Sequence, residues 1–260
     1  MTDPSAQVPS PRRALLAWSS GKDSAWALHL CRQRRDLEVV ALFTTLDETS
    51  GRVGMHHVRR ELVERQANAT GLEWWPVPLP WPASNETYEA RLQDVWRRAE
   101  SVGIESVVFG DIFLDEIRAY RERQLEGTGL EPLFPLWGRE TRELALEMLA
   151  GGVEARVVAV DRRFLGHEML GRSLDADLLR GLPAEVDPCG ERGEFHTFVH
   201  RGPMLENPVP CSVGEITEHA GFARADLLPQ AGLPDEGRSG RGRSGDRPSG
   251  RRRSGQRPRG

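Results

Sequence analysis

Lysine is nearly absent from this chain. Of its 35 basic residues only Lys22 is a lysine, and the rest are arginines. Such a bias is of the kind coding composition produces, and it makes the one ammonium conspicuous: Lys is a compact point charge, whereas Arg is a broad planar fork. Cysteine is scarce as well. Cys31, Cys189 and Cys211 form no CxxC pair, and an odd, sparse count argues against a disulfide framework and fits a reducing compartment. No apolar run approaches the roughly 18 residues that would cross a bilayer. The leading MTDPSAQVPSPRR is polar and Pro-rich, without the apolar core of a secretion signal. A cytoplasmic protein with no membrane partner is expected.

The formal net charge is −4, but nine Arg against three Asp or Glu fall in residues 235–260, a net of +6 that leaves the body near −10. An acidic body disfavours a dedicated nucleic-acid binder, whose affinity rests on neutralising phosphates. What is present is otherwise ordinary for a globular protein, 38% hydrophobic and 28% charged over 260 residues. The expected organisation is a flexible lead-in over 1–12, a larger domain over 13–150, a smaller one over 151–228, and a disordered Arg/Gly/Ser tail over 229–260 that lacks any apolar pattern.

Leu15 to Trp18 reads as a buried strand followed by a helix with Ala25, Leu28 and Cys31 on one face. Leu37 to Thr45 is a second, continuously apolar strand. A helix from Val58 to Thr70 precedes a third strand, Glu73 to Val77, which Pro76 and Pro78 mark as an edge. Ser84 or Asn85 caps a long helix to about Val102 whose stripe is Tyr88, Leu92, Val95, Trp96 and Ala99. Ser106 to Phe109 is a fourth strand, ended by Gly110-Asp111. Then come a helix from about Leu114 to Leu125, an extended Glu131 to Trp137, a helix from Glu140 to Leu149 and a buried strand, Ala155 to Val160. Strands alternating with helices imply βαβ units and a parallel sheet. After Asp161 the expectation is a smaller α+β region with a short helix near Asp175 to Leu179 and a strand near Phe195 to His200.

The strongest local signal is Ser19-Ser20-Gly21-Lys22-Asp23-Ser24, between the first strand and its helix. There a helix N-terminus offers free N–H groups and the positive end of its dipole. Small residues let the backbone approach an anion, hydroxyls add donors, and Lys22 supplies charge. Asp23 can cap the turn or help hold Mg²⁺. The pattern is not GxxxxGK[ST]. It resembles the SGGxDS pyrophosphate loop of N-type ATP pyrophosphatases, with Ser20 in place of the first glycine.

Three further segments sharpen the resemblance: Gly110-Asp111-Ile112 with Arg118 and Glu122; Glu131 to Trp137 (EPLFPLW); and Asp187 to Val199 (DPCGERGEFHTFV) followed by Gly202-Pro203. Together with the Ser19 to Ser24 loop, over about Leu15 to Pro210, they resemble the diphthine–ammonia ligase family, also called the DUF71 group. One departure is Arg192, where the motif usually has Asn. The resemblance implies an α/β fold of the HUP type (adenine nucleotide alpha hydrolase-like), with a five-strand parallel core, flanking helices and a smaller C-terminal α+β domain. It implies ATP and Mg²⁺, and an activity in which a carboxylate attacks the α-phosphate, pyrophosphate leaves, and ammonia attacks the acyl-adenylate. In the family the carboxylate is diphthine, on elongation factor 2.

On that footing Ser19, Ser20, Gly21, Lys22, Asp23 and Ser24 are expected to bind nucleotide, and Asp23 and Asp111 to hold metal. Lys22, Asp23, Asp111, Glu194 and His196 are the expected catalytic set. Arg118, Glu122, Glu191 and Thr197 are expected at the substrate. Each has a plainer alternative: Asp111 as a helix cap, Arg118 and Glu122 as an i, i+4 surface pair, Glu191, Glu194 and His196 as a solvated strand edge. Strand alternation puts Glu194 and His196 on one face. Cys189 reads as a packed turn residue sooner than a nucleophile, and His29 as structural. His56 and His57 lie in a loop that either closes over the site or stays on the surface. Trp74, Trp75 and Trp81 pack an edge or stack a base. Two rival functions stand beside the ligase: a tRNA-modifying enzyme using the same loop, and a nucleotide sensor without turnover. A homodimer is left open.

Overall fold

The computed structural model describes residues 10–80 and 82–231. The lead-in over 1–9, Trp81 and the tail over 232–260 lie outside the described residues. Arg12 already belongs to the first strand and Pro229 to the last, so the lead-in and tail give way to regular structure at those residues.

In chain order the first domain runs β1 (Arg12–Ala17), α1 (Lys22–Arg32), β2 (Leu37–Asp47), α2 (Arg60–Thr70), β3 (Glu73–Leu79), α3 (Asn85–Ser101), β4 (Ser106–Val108), α4 (Asp115–Leu125), β5 (Glu131–Leu133) and α5 (Thr141–Ala150). The five strands form one parallel sheet in the order β3-β2-β1-β4-β5. This is the expected α/β class. Alternate residues of β1 serve opposite faces. Ala14 and Leu16 pack with Ala25 and Leu28 of α1 and Leu62 and Val63 of α2. Leu15 packs with Phe43, Trp75 and the Leu92, Val95, Trp96 and Ala99 stripe of α3. A strand covered on both faces needs its near-continuous apolar run. As the prolines predict, β3 is the edge, and Ser84 caps α3 by accepting from the Thr87 N–H at 3.1 Å. Trp75 is buried, and Trp74 donates its indole N–H to the Thr44 hydroxyl at 3.0 Å. These two tryptophans pack the edge.

The chain leaves β1 in one direction to build β2 and β3, then returns past β1 to build β4 and β5. That reversal opens a crevice beyond the carboxyl ends of β1 and β4, where ligands of open α/β sheets collect.

The second sheet takes β6 (Glu154–Asp161), β7 (Phe195–Arg201), β8 (Cys211–His219) and β9 (Phe222–Pro229), with α6 (Ala176–Arg180) between β6 and β7. Its order is β7-β6-β9-β8 and every pairing is antiparallel. Residues of this sheet, including Val157, Val160, Phe198 and Val199, continue the core formed by α1, α2 and α5. The ARVVAV segment therefore belongs to this sheet. Buried on both faces, it carries the same unbroken apolar run as a parallel strand, so periodicity could not place it. The β8–β9 hairpin has no counterpart in the sequence reading. Most of β8 is solvent-facing, the inward residues of β9 are Ala223, Ala225 and Leu227, and the connecting turn is Ala220-Gly221 and not Asn-Gly or Asp-Gly. No helix among the described residues is long and apolar enough to cross a membrane.

Candidate active site

A cavity of about 590 Å³ fills the crevice, within the roughly 300–1,000 Å³ typical of small-molecule sites. Its floor is the carboxyl ends of β1, β2 and β4. Its roof is the turn leading into β7, so both domains line it. Of the expected residues, Ser19, Lys22, Asp23, Ser24, Asp111, Glu191, His196 and Thr197 line it; Ser20, Gly21, Arg118, Glu122 and Glu194 do not.

The β1–α1 turn is locked from below. Ser20 has φ +73°, the left-handed region that glycine adopts freely, at the position where the family pattern has glycine. Its carbonyl accepts from the Val199 N–H at 3.0 Å and from Gln66 Nε2 at 3.1 Å, while its own hydroxyl is buried without a partner. Gly21 is the N-cap of α1 and lies under His56: a Cβ there would come within 2.7 Å of the imidazole. The amides of Ser19, Gly21 and Lys22 already donate to the hydroxyls of Ser24, Ser19 and Thr197 at 3.3, 3.3 and 3.1 Å. The anion cradle thus narrows to the first turn of α1. There a Cβ on Gly110 would sit 3.0 Å from the Ser24 nitrogen. Glycine at 110 keeps that amide approachable.

Lys22 is 2% exposed. Its ammonium donates to both Asp23 oxygens at 3.0 and 2.9 Å, and to the Cys189 carbonyl. It is therefore an internal ion pair, where a free phosphate counter-charge was expected. Burial opposes the ammonium most strongly, but the charge and hydrogen bond of Asp23, together with Cys189 and Glu191, outweigh it and hold Lys22 above the usual lysine range.

The roof is built by carboxylates bonded to backbone. Glu194 accepts from the Asp187 and Arg192 N–H groups at 2.9 and 3.0 Å, and Asp187 accepts from the Cys189 and Glu191 N–H groups at 2.9 and 3.2 Å. Glu194 is a staple of this turn, 1% exposed, and does not reach the cavity. The alternation argument fails because β7 begins one residue later, at Phe195. The left-handed positions are Gly190 (φ +67°) and Gly193 (φ +87°), so Arg192 in place of Asn carries no backbone strain. Cys189 donates its thiol to the Thr141 carbonyl at 3.3 Å, and burial pushes it up to about 12, which makes it a packed residue and a poor nucleophile. Glu191 does face the cavity. It accepts from the Ile112 N–H at 2.7 Å, and burial, reinforced by Asp23 and Asp111, raises its carboxyl to about 7.

The His56 and His196 rings lie against each other, tilted by 38° with centroids 4.7 Å apart. His56 donates Nδ1–H to the Thr197 carbonyl at 3.1 Å, and burial lowers it to about 4. Burial, then His56 and Lys22, hold His196 well below its usual value, and its Nε2 is buried without a partner. Both are neutral imidazoles. The loop carrying His56 is clasped to the second sheet: Arg52 donates to the His57 carbonyl at 2.9 Å and to Asp226 at 2.8 Å, and Arg59 donates to Asp226 at 2.9 Å. Those bonds hold the Asp226 carboxyl far below the carboxylate range. His57 itself does not line the cavity. His29 stacks on Trp26 at 4.4 Å, the structural role expected.

Asp111 is not a helix cap, since α4 is preceded by Leu114. It faces the cavity, its carboxyl raised by burial against the pull of Arg121. Arg118 pairs with Glu122 at 2.8 Å on the outer face of α4, the plainer of the two alternatives. Leu114, which caps α4, and Ile117 and Arg121 within it line the cavity, so Arg121 is a site residue that the sequence reading missed. Among the described residues no group of three or more His, Cys, Asp or Glu is arranged to hold a metal ion.

The fold and the site define a class: a HUP-like α/β domain with a small-residue turn at its switch point, roofed by a second, antiparallel sheet. Two family descriptions match in tandem, diphthamide synthase N-terminal domain over residues 12–132 and diphthamide synthase C-terminal domain over 140–225. Proteins named diphthine–ammonia ligase are similar in sequence. That of Schizosaccharomyces pombe is 28% identical over 52% of this chain and 24% of its own length. Those of Rattus norvegicus and Homo sapiens are 31% and 28% identical, each over 48% of this chain and 49% of its own length. The chain belongs to the diphthamide synthase family. The matches span about half the length of these mammalian relatives and a quarter of the yeast one.

Two outcomes are expected. Ser20→Gly should raise stability by about 1 kcal/mol, because it relieves a left-handed serine and a buried unpartnered hydroxyl; urea denaturation reads this directly. Asp226→Asn should release the Arg52–Arg59 clasp and let His56 titrate upward, from about 4 toward the ordinary value of about 6.5. An NMR titration of the imidazole Cε1–H resonances would follow it, and an unmoved His56 would refute the clasp.

Proposed function

We propose that this protein is an ATP-dependent ligase that joins ammonia to a carboxylate and releases AMP and pyrophosphate. One observation carries the reading. The open amide of α1, the carboxylates Asp23, Asp111 and Glu191, and two neutral imidazoles share one cavity at the switch point. The relatives' name, diphthine–ammonia ligase, supplies the acceptor to try first: diphthine on elongation factor 2.

Phosphate oxygens would lie against the first turn of α1, beside the Ser19 and Ser24 hydroxyls. To meet them Lys22 would exchange Asp23 for phosphate, which frees a carboxylate at the moment a cation is needed. Asp23 and Asp111 are the residues that would hold Mg²⁺, together with substrate oxygens and waters. Bound there, Mg²⁺ supplies neutralising charge for the departing pyrophosphate. The crowding fits a cation, since Asp23 and Asp111 each raise the pKa of the other or of Glu191.

The acceptor carboxylate attacks the α-phosphorus and the bond to pyrophosphate breaks. Ammonia then attacks the acyl carbon, and AMP leaves. The nitrogen must shed a proton, and Glu191, poised near 7, is the base best matched to neutral pH. A thiolation reading gains no support from the cysteines: burial raises Cys31 to about 11, Cys189 to about 12, and Cys211 in the same direction.

Incubation with ATP, Mg²⁺, ammonium and diphthine-bearing elongation factor 2 should yield AMP and pyrophosphate. Production of ADP and phosphate would sink the proposal. Lys22→Gln, which keeps a donor for Asp23 and Cys189, should lower turnover by about 10²- to 10³-fold. Turnover should rise with pH through an inflection near 7 as Glu191 ionises, and in Glu191→Gln that inflection should vanish from the pH–rate profile.

A further inference from the structure

We propose that Arg121 forms a subsite for the acceptor's carboxylate, separate from the phosphate turn; the choice of a carboxylate rests on the ligase reading above.

Arginine can donate five hydrogen bonds in a planar fork. Arg121 makes one, a long one, to the Tyr88 hydroxyl at 3.4 Å. Asp111 lies 3.7 Å from its Nε, too far for a hydrogen bond, and that Nε is buried without a partner. The guanidinium lies over the Phe109 ring, 5.2 Å from its centroid, which fixes its plane while leaving its edge unsaturated. One turn earlier on the same helix, Arg118 is occupied by Glu122. A part-buried cation whose Nε is buried without a hydrogen-bond partner, and whose nearest carboxylate stands off at ion-pair distance, gains from a ligand that supplies acceptors.

The surroundings select the ligand. Arg121 stands after β4, across the switch point from the β1–α1 turn, and the cavity wall beside it is Tyr88, Phe109, Leu114 and Ile117. A triphosphate has nothing to gain from that apolar wall. A planar carboxylate carried on an organic side chain matches both the fork and the wall. Bound there, it would share the cavity with the phosphate turn.

The test is labelling of arginines by phenylglyoxal in the full chain saturated with α,β-methylene ATP, with modified sites mapped by peptide mass. Butyrate and inorganic pyrophosphate are the two probes. Arg121 should react in the nucleotide complex, and butyrate should slow its labelling at least about fivefold where pyrophosphate does not. Protection by pyrophosphate alone, or by neither probe, would overturn the subsite. Calorimetric titration of Arg121→Met with α,β-methylene ATP should give an affinity within about twofold of the unaltered protein, since the subsite makes no nucleotide contact. A tenfold loss would make Arg121 a phosphate contact and refute the assignment. Failure of the wild-type protein to bind the analogue would instead strike the ligase reading itself.

Discussion

One buried ammonium ties the two halves of this molecule together. Lys22 begins α1, yet its charge is shared between Asp23 on the same helix and the Cys189 carbonyl in the roof. Its backbone N–H reaches Thr197 on β7. An ammonium taken from water loses several kcal/mol of hydration unless its partners are in place. The turn from Asp187 to Glu194 must therefore fold with the 189 carbonyl pointing inward. Asp187 and Glu194 secure this by accepting four backbone N–H groups between them. Glu194, expected in the catalytic set, is thereby committed with Asp187 to shaping the roof, and Glu191, flanked by them, is the one left to face the cavity.

Much of this was legible in the residues. The apolar runs of β1 and β2, the prolines of β3 and the serine cap of α3 each have a local cause that survives folding. The turn at Ser19 to Ser24 is legible for the same reason, because a strand followed by small residues and a helix leaves few conformations. Where tertiary context decides, the reading stops. Helix α4, DEIRAYRERQL, has so few apolar residues that its inward face cannot be told from its outward one, and the i, i+4 spacing of Arg118 and Glu122 draws the eye to the outer side. Ile117 and Arg121, also four apart, were the signal to follow. Glu194 was misplaced because strand alternation was extended to a residue that lies before β7, in the turn, where the period of two does not hold.

The balance of charge explains why the site needs help from its ligands. Lys22, Arg121 and Arg192 are the cationic side chains lining the cavity, against Asp23, Asp111 and Glu191, and Lys22 is already spent on Asp23. His56 and His196 add nothing to the positive side, since burial keeps them neutral. Glu191 lies near its own midpoint at neutral pH, so a change in local potential moves its proton readily. A polyphosphate entering this space would face as many carboxylates as cationic side chains, with the one ammonium already paired. Lys22 can turn to it only by abandoning Asp23, and Asp23 then requires a new positive partner. In the proposed reaction Asp23, once released, and Asp111 would hold a divalent cation, which would supply the missing positive charge. The internal ion pair that ties the two halves together would thus, in the proposed reaction, be the one that opens to receive metal and nucleotide.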